Sequence, residues 1–70
     1  MNLVSPLDGI RQGMPVRDPA GNLVGNVRDI SGRAILIIES AGPRVFWVED
    51  QRIARVGDGA VHLTTPVAVI

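Results

Sequence analysis

The chain has 70 residues, with no cysteine, one histidine and equal numbers of acidic and basic side chains. This length and composition exclude several classes of function. The chain can support one hydrophobic core and no disulfide, and a metal site would need several converging ligands where a single imidazole is present. The zero formal net charge argues against non-specific binding to nucleic acid or to an anionic membrane, since both need a basic excess.

Six short apolar segments separated by turn signals predict an all-β chain. In order they are Met14–Arg17, Leu23–Ile30, Ala34–Ser40, Arg44–Glu49, Ile53–Val56 and Ala60–Thr64. Val and Ile dominate them, as is typical of a pleated, half-buried surface. The glycines assigned to turns, bends or close backbone approaches are Gly13, Gly21, Gly25, Gly32 and Gly59. Helix is limited to a capped turn at residues 5–8 and a second short turn at 50–52.

Two of these segments are apolar on both faces. Residues 34–38 and 45–48 do not alternate, so one face can fill a core while the other needs a cover. Phe46 and Trp47 are neighbours and should face opposite sides of one strand. The cover is the N-terminal arm, the C-terminal tail or a second copy of the chain. The candidate interface residues are Leu36, Ile38, Phe46, Trp47, Val48, Val67 and Val69.

No group of residues suggests catalysis. His62 lies mid-strand on the face opposite Val61 and Leu63, and no serine or threonine stands in a nucleophile context. Glu49 and Asp50 form the one adjacent carboxylate pair, but neighbours on a strand point to opposite faces. We therefore expect no enzyme activity. The longest apolar run is too short to span a bilayer and no signal peptide is apparent, so the expected location is cytoplasmic.

Several short motifs resemble the PRC-barrel family, which is named for the cytoplasmic domain of the photosynthetic reaction-centre H subunit. They are Gly13-Met14-x-Val16, Asp18-x-x-Gly21-x-x-Val24-Gly25-x-Val27, Ile35-Leu36-Ile37, Val48 with Ile53-Ala54-Arg55-Val56, and Gly59-Ala60-Val61-His62-Leu63. The resemblance covers roughly residues 10–64 and is strongest to short stand-alone bacterial members of unknown function. The chain departs from the family where Glu49 replaces the proline of a usual Ile-Pro pair.

The resemblance implies a small, strongly bent antiparallel β-barrel of five or six strands, used for docking or assembly without enzymatic activity or cofactor. The expected organisation is an arm at 1–12, a barrel at 13–64 and an apolar tail at 65–70. We expect a homodimer, or docking to an unidentified protein partner. One alternative is a ribosome- or RNA-associated barrel, which needs Arg17, Arg28, Arg33 and Arg44 to converge. Another is a small-ligand binder, which needs a cavity in the barrel mouth.

Overall fold

The computed structural model describes residues 9–42 and 44–66, which form six strands and one 3₁₀ turn. The strands are β1 (Pro15–Arg17), β2 (Leu23–Ser31), β3 (Ala34–Glu39), β4 (Val45–Glu49), β5 (Ile53–Gly57) and β6 (Ala60–Leu63), with the 3₁₀ turn at Asp50–Arg52 between β4 and β5. All six strand predictions are confirmed to within one residue at each end, as is the turn at 50–52. The helical turn expected at residues 5–8 lies outside the described residues.

All six strands belong to one sheet, in the order β4-β3-β2-β1-β6-β5. The expectation of a wholly antiparallel sheet is wrong at one place, because β1 and β6 pair in parallel, with Val16 opposite Val61. These strands are far apart in sequence, so no hairpin turn forces them to run in opposite directions.

The parallel pair also determines how the sheet ends. Since the other neighbours are antiparallel, β4 and β5 run in the same sense along the sheet. A parallel pair between adjacent strands needs a crossover of about a dozen residues or more, and three residues join these two. Within residues 9–42 and 44–66, the strands β4 and β5 therefore remain the two edges, and the hydrogen-bonded sheet is not closed.

Inward-facing side chains from every strand fill one core. The buried members are Ile10, Val16, Val27, Ile35, Ile37, Val48, Ile53, Val61 and Leu63. Val48 comes from one edge strand and Ile53 from the other, so the sheet must curl until its two edges contribute to the same cluster. The 3₁₀ turn spans those edges directly. Ile10, which the sequence assigned to the N-terminal arm, belongs to this core.

Two of the hairpins use the turns that match the right-handed twist of strands. Asp58 and Gly59 have φ values of 57° and 73° and form a two-residue turn of the I′ kind. Gly32, at φ 58°, occupies the first position of the two-residue turn between β2 and β3. Gly13 and Gly21 also have left-handed backbones, which confirms their prediction as turn residues.

Gly25 is not a turn residue, although it was grouped with them. It lies inside β2, opposite Glu39 of β3, and its φ is not left-handed. Its place in the sequence is explained by a close approach of the two strands, the other role expected of a glycine within a strand.

The loop between β1 and β2 is held by one carboxylate. Asp18 Oδ1 accepts hydrogen bonds from the backbone N–H groups of Ala20 at 3.0 Å and Asn22 at 2.9 Å. The Gly21 N–H donates to the Asp18 carbonyl at 2.9 Å. Because the acidic side chain accepts hydrogen bonds from the backbone of its own loop, residues 18–22 form a self-contained hairpin connection.

Candidate interaction surface

The outer face of β3 and β4 carries exposed apolar side chains. Along β3, Ile35 and Ile37 point into the core, so Leu36 and Ile38 lie on the opposite face. Along β4, Val45 and Trp47 alternate in the same way with inward residues. Ile38, Val45 and Trp47 are 36%, 45% and 49% exposed, while Leu36 is half-buried. The sheet is therefore apolar on both sides at this edge, as the unbroken apolar runs predicted.

These four residues form two cross-strand pairs. Leu36 lies opposite Trp47, and Ile38 lies opposite Val45. Directly opposite residues on an antiparallel pair have β-carbons about 4.5–5.5 Å apart, so the four side chains make one continuous surface. We call Leu36, Ile38, Val45 and Trp47 the outer patch. Contiguous apolar surface of this kind on a small protein is typical of an interaction site.

Two of the candidate interface residues do not lie on the outer patch. Val48 is 1% exposed and belongs to the core, because strand alternation turns it inward when Trp47 faces outward. Phe46 is half-buried and packs against the same core. The two neighbouring aromatics thus face opposite sides, as expected. Val67 and Val69 lie outside the described residues.

Val45 belongs to the outer patch and was missing from the candidate interface residues. The signal was present in the sequence, since Val45 is two positions from Trp47 and must share its face on any regular strand. The choice between the two faces required knowing which aromatic points outward. An apolar run that does not alternate gives no such information.

Charged side chains border the outer patch at one end. Asp29 lies opposite Leu36 on β2, and Glu49 lies opposite Ala34 on β4. At the other end, Arg44 Nη2 donates to Glu39 Oε2 at 3.1 Å, but both residues alternate with the outward Ile38 and Val45, so this ion pair belongs to the opposite face of the sheet. Charged residues at the margin of an apolar centre are common in protein–protein contacts.

The backbone of β4 is also directed outward. Two hydrogen bonds at the ends of the β3–β4 pair show which β4 residues bond to β3. The Glu39 N–H donates to the Arg44 carbonyl, and the Asp50 N–H donates to the Arg33 carbonyl. In an antiparallel pair such bonds recur at every second residue, so residues 44, 46 and 48 bond to β3. The peptide groups of Val45, Trp47 and Glu49 consequently point to the open edge.

A second surface feature is a row of nitrogen-bearing side chains across β1, β6 and β5. His62 of β6 pairs with Arg17 on one side and Arg55 on the other. The adjacent row consists of Val16, Val61 and Val56, which face the core. The side chains of Arg17, His62 and Arg55 therefore face outward.

The imidazole of His62 has an unusual environment within this row. Its Nε2 atom is buried and has no hydrogen-bond partner among the described residues. A buried nitrogen left without a partner costs about 1–3 kcal/mol in stability. The placement of His62 opposite to Val61 and Leu63 confirms the sequence interpretation of that strand.

The remaining sequence candidates are dispersed. Glu49 is exposed at the end of β4, whereas Asp50 begins the 3₁₀ turn, and the two do not form a shared acid–base site. No cluster of three potential metal-ligating side chains occurs in residues 9–42 and 44–66. Arg28 and Arg33 lie toward the far end of β2, whereas Arg17 and Arg44 flank its beginning. Four arginines divided between the ends of a nine-residue strand do not converge.

Comparison with known proteins finds no matching family model and no matching curated protein. Within the part of the chain that the structure describes, no helix has the length and apolar character to cross a membrane. The outer patch and the open edge of β4 therefore have to be interpreted from their own geometry.

Proposed function

We propose that this protein is a non-enzymatic assembly module that associates with a second copy of itself through the outer patch and the β4 edge. The main support is that Trp47 and Val45 are about half exposed and lie on an edge strand. Their backbone N–H and C=O groups point away from β3, toward the open edge. An edge that is both apolar and unpaired invites another strand unless something covers it.

A second copy fits this edge by symmetry. A two-fold axis perpendicular to the sheet at Phe46 makes the two β4 strands antiparallel and places Val45 of each copy opposite Trp47 of the other. Both residues direct their peptide groups to the edge, so each such pair exchanges two hydrogen bonds. The outward rows then run without interruption from Ile38 through Val45 of one copy to Trp47 and Leu36 of the second.

The same two-fold axis would also bury apolar surface on the inward face of the sheet. The two Phe46 side chains become direct neighbours on the concave side of the joined sheets, where each is half-buried in one chain alone. Opposite residues at such non-hydrogen-bonded sites have α-carbons about 4.5 Å apart, so the aromatic rings are within packing distance. Phe46 would therefore be an interface residue as expected, though on the inner side of the contact.

The PRC-barrel assignment belongs to this proposal as well. It is supported by the curled sheet, by the short link between the two edges and by a core that draws on every strand. The resemblance implies a bacterial protein, and the cytoplasmic location expected from the sequence is part of the same proposal. Neither alternative function gains a specific observation: the arginines named for RNA binding are divided between two ends, and the interior contains Val16, Ile35, Ile37 and Val61 side chains with no exposure.

The decisive measurement is solution mass across a wide dilution series, by light scattering on a sizing column. We expect a dimer that dissociates on dilution and a Trp47→Glu variant that is monomeric throughout. Leu23→Glu is the matched control, since Leu23 is 47% exposed and outside the outer patch. A wild-type monomer at every concentration, or equal effects of the two variants, would refute self-association through this surface.

The register can be tested separately because the chain contains no cysteine. A Phe46→Cys variant places two thiols opposite each other at a spacing suited to a disulfide. Mild oxidation should cross-link it rapidly, while Leu23→Cys should react only at the slow rate of random collision. Equal rates for the two variants would contradict the two-fold axis at Phe46, whether or not a dimer forms.

A further inference from the structure

We infer that assembly through β4 stops at two copies, because the second edge of the sheet, β5, does not accept another strand. The inference rests on the proposed self-association and sets its limit. Among the described strands, β4 and β5 form the two edges of the sheet. Pairing of β4 with β4 closes on itself, whereas pairing that also used β5 would join copies into an open chain. The properties of β5 therefore decide between a dimer and a polymer.

The edge strand β5 has little regular backbone to offer. Its two-residue turn makes Gly57 and Ala60 a hydrogen-bonded pair, and such pairs recur at every second residue. Arg55 is therefore the next residue to bond across, to His62. Val56 lies between the two bonded positions, so its N–H and C=O groups point to the open side. On β4, by contrast, three residues direct their peptide groups outward.

A β-bulge interrupts the first half of β5. Ile53 lies opposite Leu63 and Arg55 lies opposite His62, so two steps along β5 match one step along β6. Ala54 is the extra residue. A bulge bends its strand and increases the local twist, and bulges on edge strands are a common protection against pairing with other chains. An incoming straight strand cannot follow β5 through this point.

Arg55 adds a charge to the same edge strand. It is exposed, and its Nη1 atom lies 3.0 Å from a β-carbon built on Gly57 and 3.6 Å from Asp58 Oδ2. The side chain thus extends along the outward face of β5 toward the turn. Symmetric pairing at Val56 would bring the Arg55 residues of two copies to diagonal positions on one face, about 7–8 Å apart. The two positive charges would repel each other there.

The two edges are therefore unequal. The strand β4 is regular, and Val45 and Trp47 make its outer face apolar, whereas β5 is bulged and carries an exposed charge. The contact that avoids β5 altogether is the symmetric pairing of one β4 with another. Since that contact occupies the β4 edge of both copies, each copy has one partner and assembly ends at the dimer.

The test extends the light-scattering series of the wild-type protein to its highest soluble concentration. We expect the mass to reach two copies and to stay there. A mass that continued to rise beyond two copies would overturn this inference and leave self-association intact. A monomer at every concentration would refute self-association, and this inference with it.

Variants that remove the protection should release further growth. Deleting Ala54 closes the register shift, and Arg55→Val replaces the charge with a side chain that favours strands. We expect the combined variant to exceed two copies at concentrations where the wild type stays at two. Arg55→Val alone keeps the bulge, and should do so only at higher concentrations.

Arg28→Val is the matched control, since Arg28 is exposed and lies in β2, inside the sheet. It should stay at two copies like the wild type, and circular dichroism checks that each variant is folded. If the folded β5 variants also stayed at two copies, or if Arg28→Val grew equally, the role assigned to β5 would be wrong.

Discussion

Gly25 in β2 lies so close to Ile38 in β3 that a side-chain carbon could not be accommodated between them. A β-carbon built on Gly25 would overlap the Ile38 carbonyl oxygen and lie 2.9 Å from its carbonyl carbon. These are backbone atoms of a strand paired on both sides, so they cannot move aside as the end of a flexible side chain would. Because Gly25 has no side chain, the backbone of Ile38, which belongs to the outer patch, can lie close against β2.

We expect Gly25→Ala to lower the free energy of unfolding by about 1–3 kcal/mol, the usual cost of overpacking. Urea denaturation at a fixed protein concentration measures it, and the concentration matters because dimerisation would add to stability. Gly42→Ala is the control, since a β-carbon built on Gly42 would meet only the flexible carboxylate of Glu39, at 3.1 Å. Equal effects of the two substitutions would contradict the close approach.

Ile37 and Ile38 are adjacent and chemically identical, yet they face opposite sides of β3. Ile37 is fully buried and Ile38 is 36% exposed. In dilute protein, Ile37→Ala should destabilise by about 2–5 kcal/mol because it leaves a cavity in the core, and Ile38→Ala by clearly less. Thermal or urea unfolding of the pair measures the difference. If Ile38→Ala were the more costly, the assigned orientation of β3 would be wrong.

The turn at Asp58 and Gly59 needs left-handed backbone at both positions. Gly59→Ala should cost about 1–2 kcal/mol in stability, since a β-carbon disfavours that conformation. Asp58→Asn should change stability little, because asparagine tolerates the same backbone and the lost ion pair with Arg55 is highly exposed. Unfolding curves for both variants test this. A neutral Gly59→Ala would mean that the hairpin can adopt a different turn.

Trp47 is the one tryptophan of the chain and reports on the outer patch directly. If a second copy covers it, its fluorescence maximum should lie at shorter wavelength in concentrated protein and move to longer wavelength on dilution. Ile38→Glu should show the long-wavelength maximum at all concentrations. An emission maximum independent of concentration, alongside a mass that changes, would place the contact elsewhere on the molecule.

The strands could be read from the sequence because the local signals were strong. Val and Ile runs bounded by Gly32 or by Asp58-Gly59 define hairpins through turn chemistry alone. His62 was oriented correctly because its strand alternates. Val48 was assigned to the wrong surface because residues 45–48 do not alternate, and the pattern then carries no orientation.

The pairing of strands far apart in the chain could not be predicted from local sequence signals. Nothing local in residues 15–17 specifies that they pair in parallel with β6, and without that pair the two open edges cannot be foreseen. The row formed by Arg17, His62 and Arg55 depends on the same register, so the sequence alone does not bring these three residues together. Of the three, Arg17 alone belongs to the set of arginines that the RNA-binding alternative requires.

The parallel pair of β1 and β6 also concentrates the cost of folding in one step. Every other neighbouring pair in the sheet is a hairpin of consecutive strands and closes a short loop. Val16 and Val61, by contrast, are some forty-five residues apart and must meet before the core is complete. The β1–β4 meander and the β5–β6 hairpin can each form locally. Their docking across this one non-local contact is therefore expected to set the folding rate.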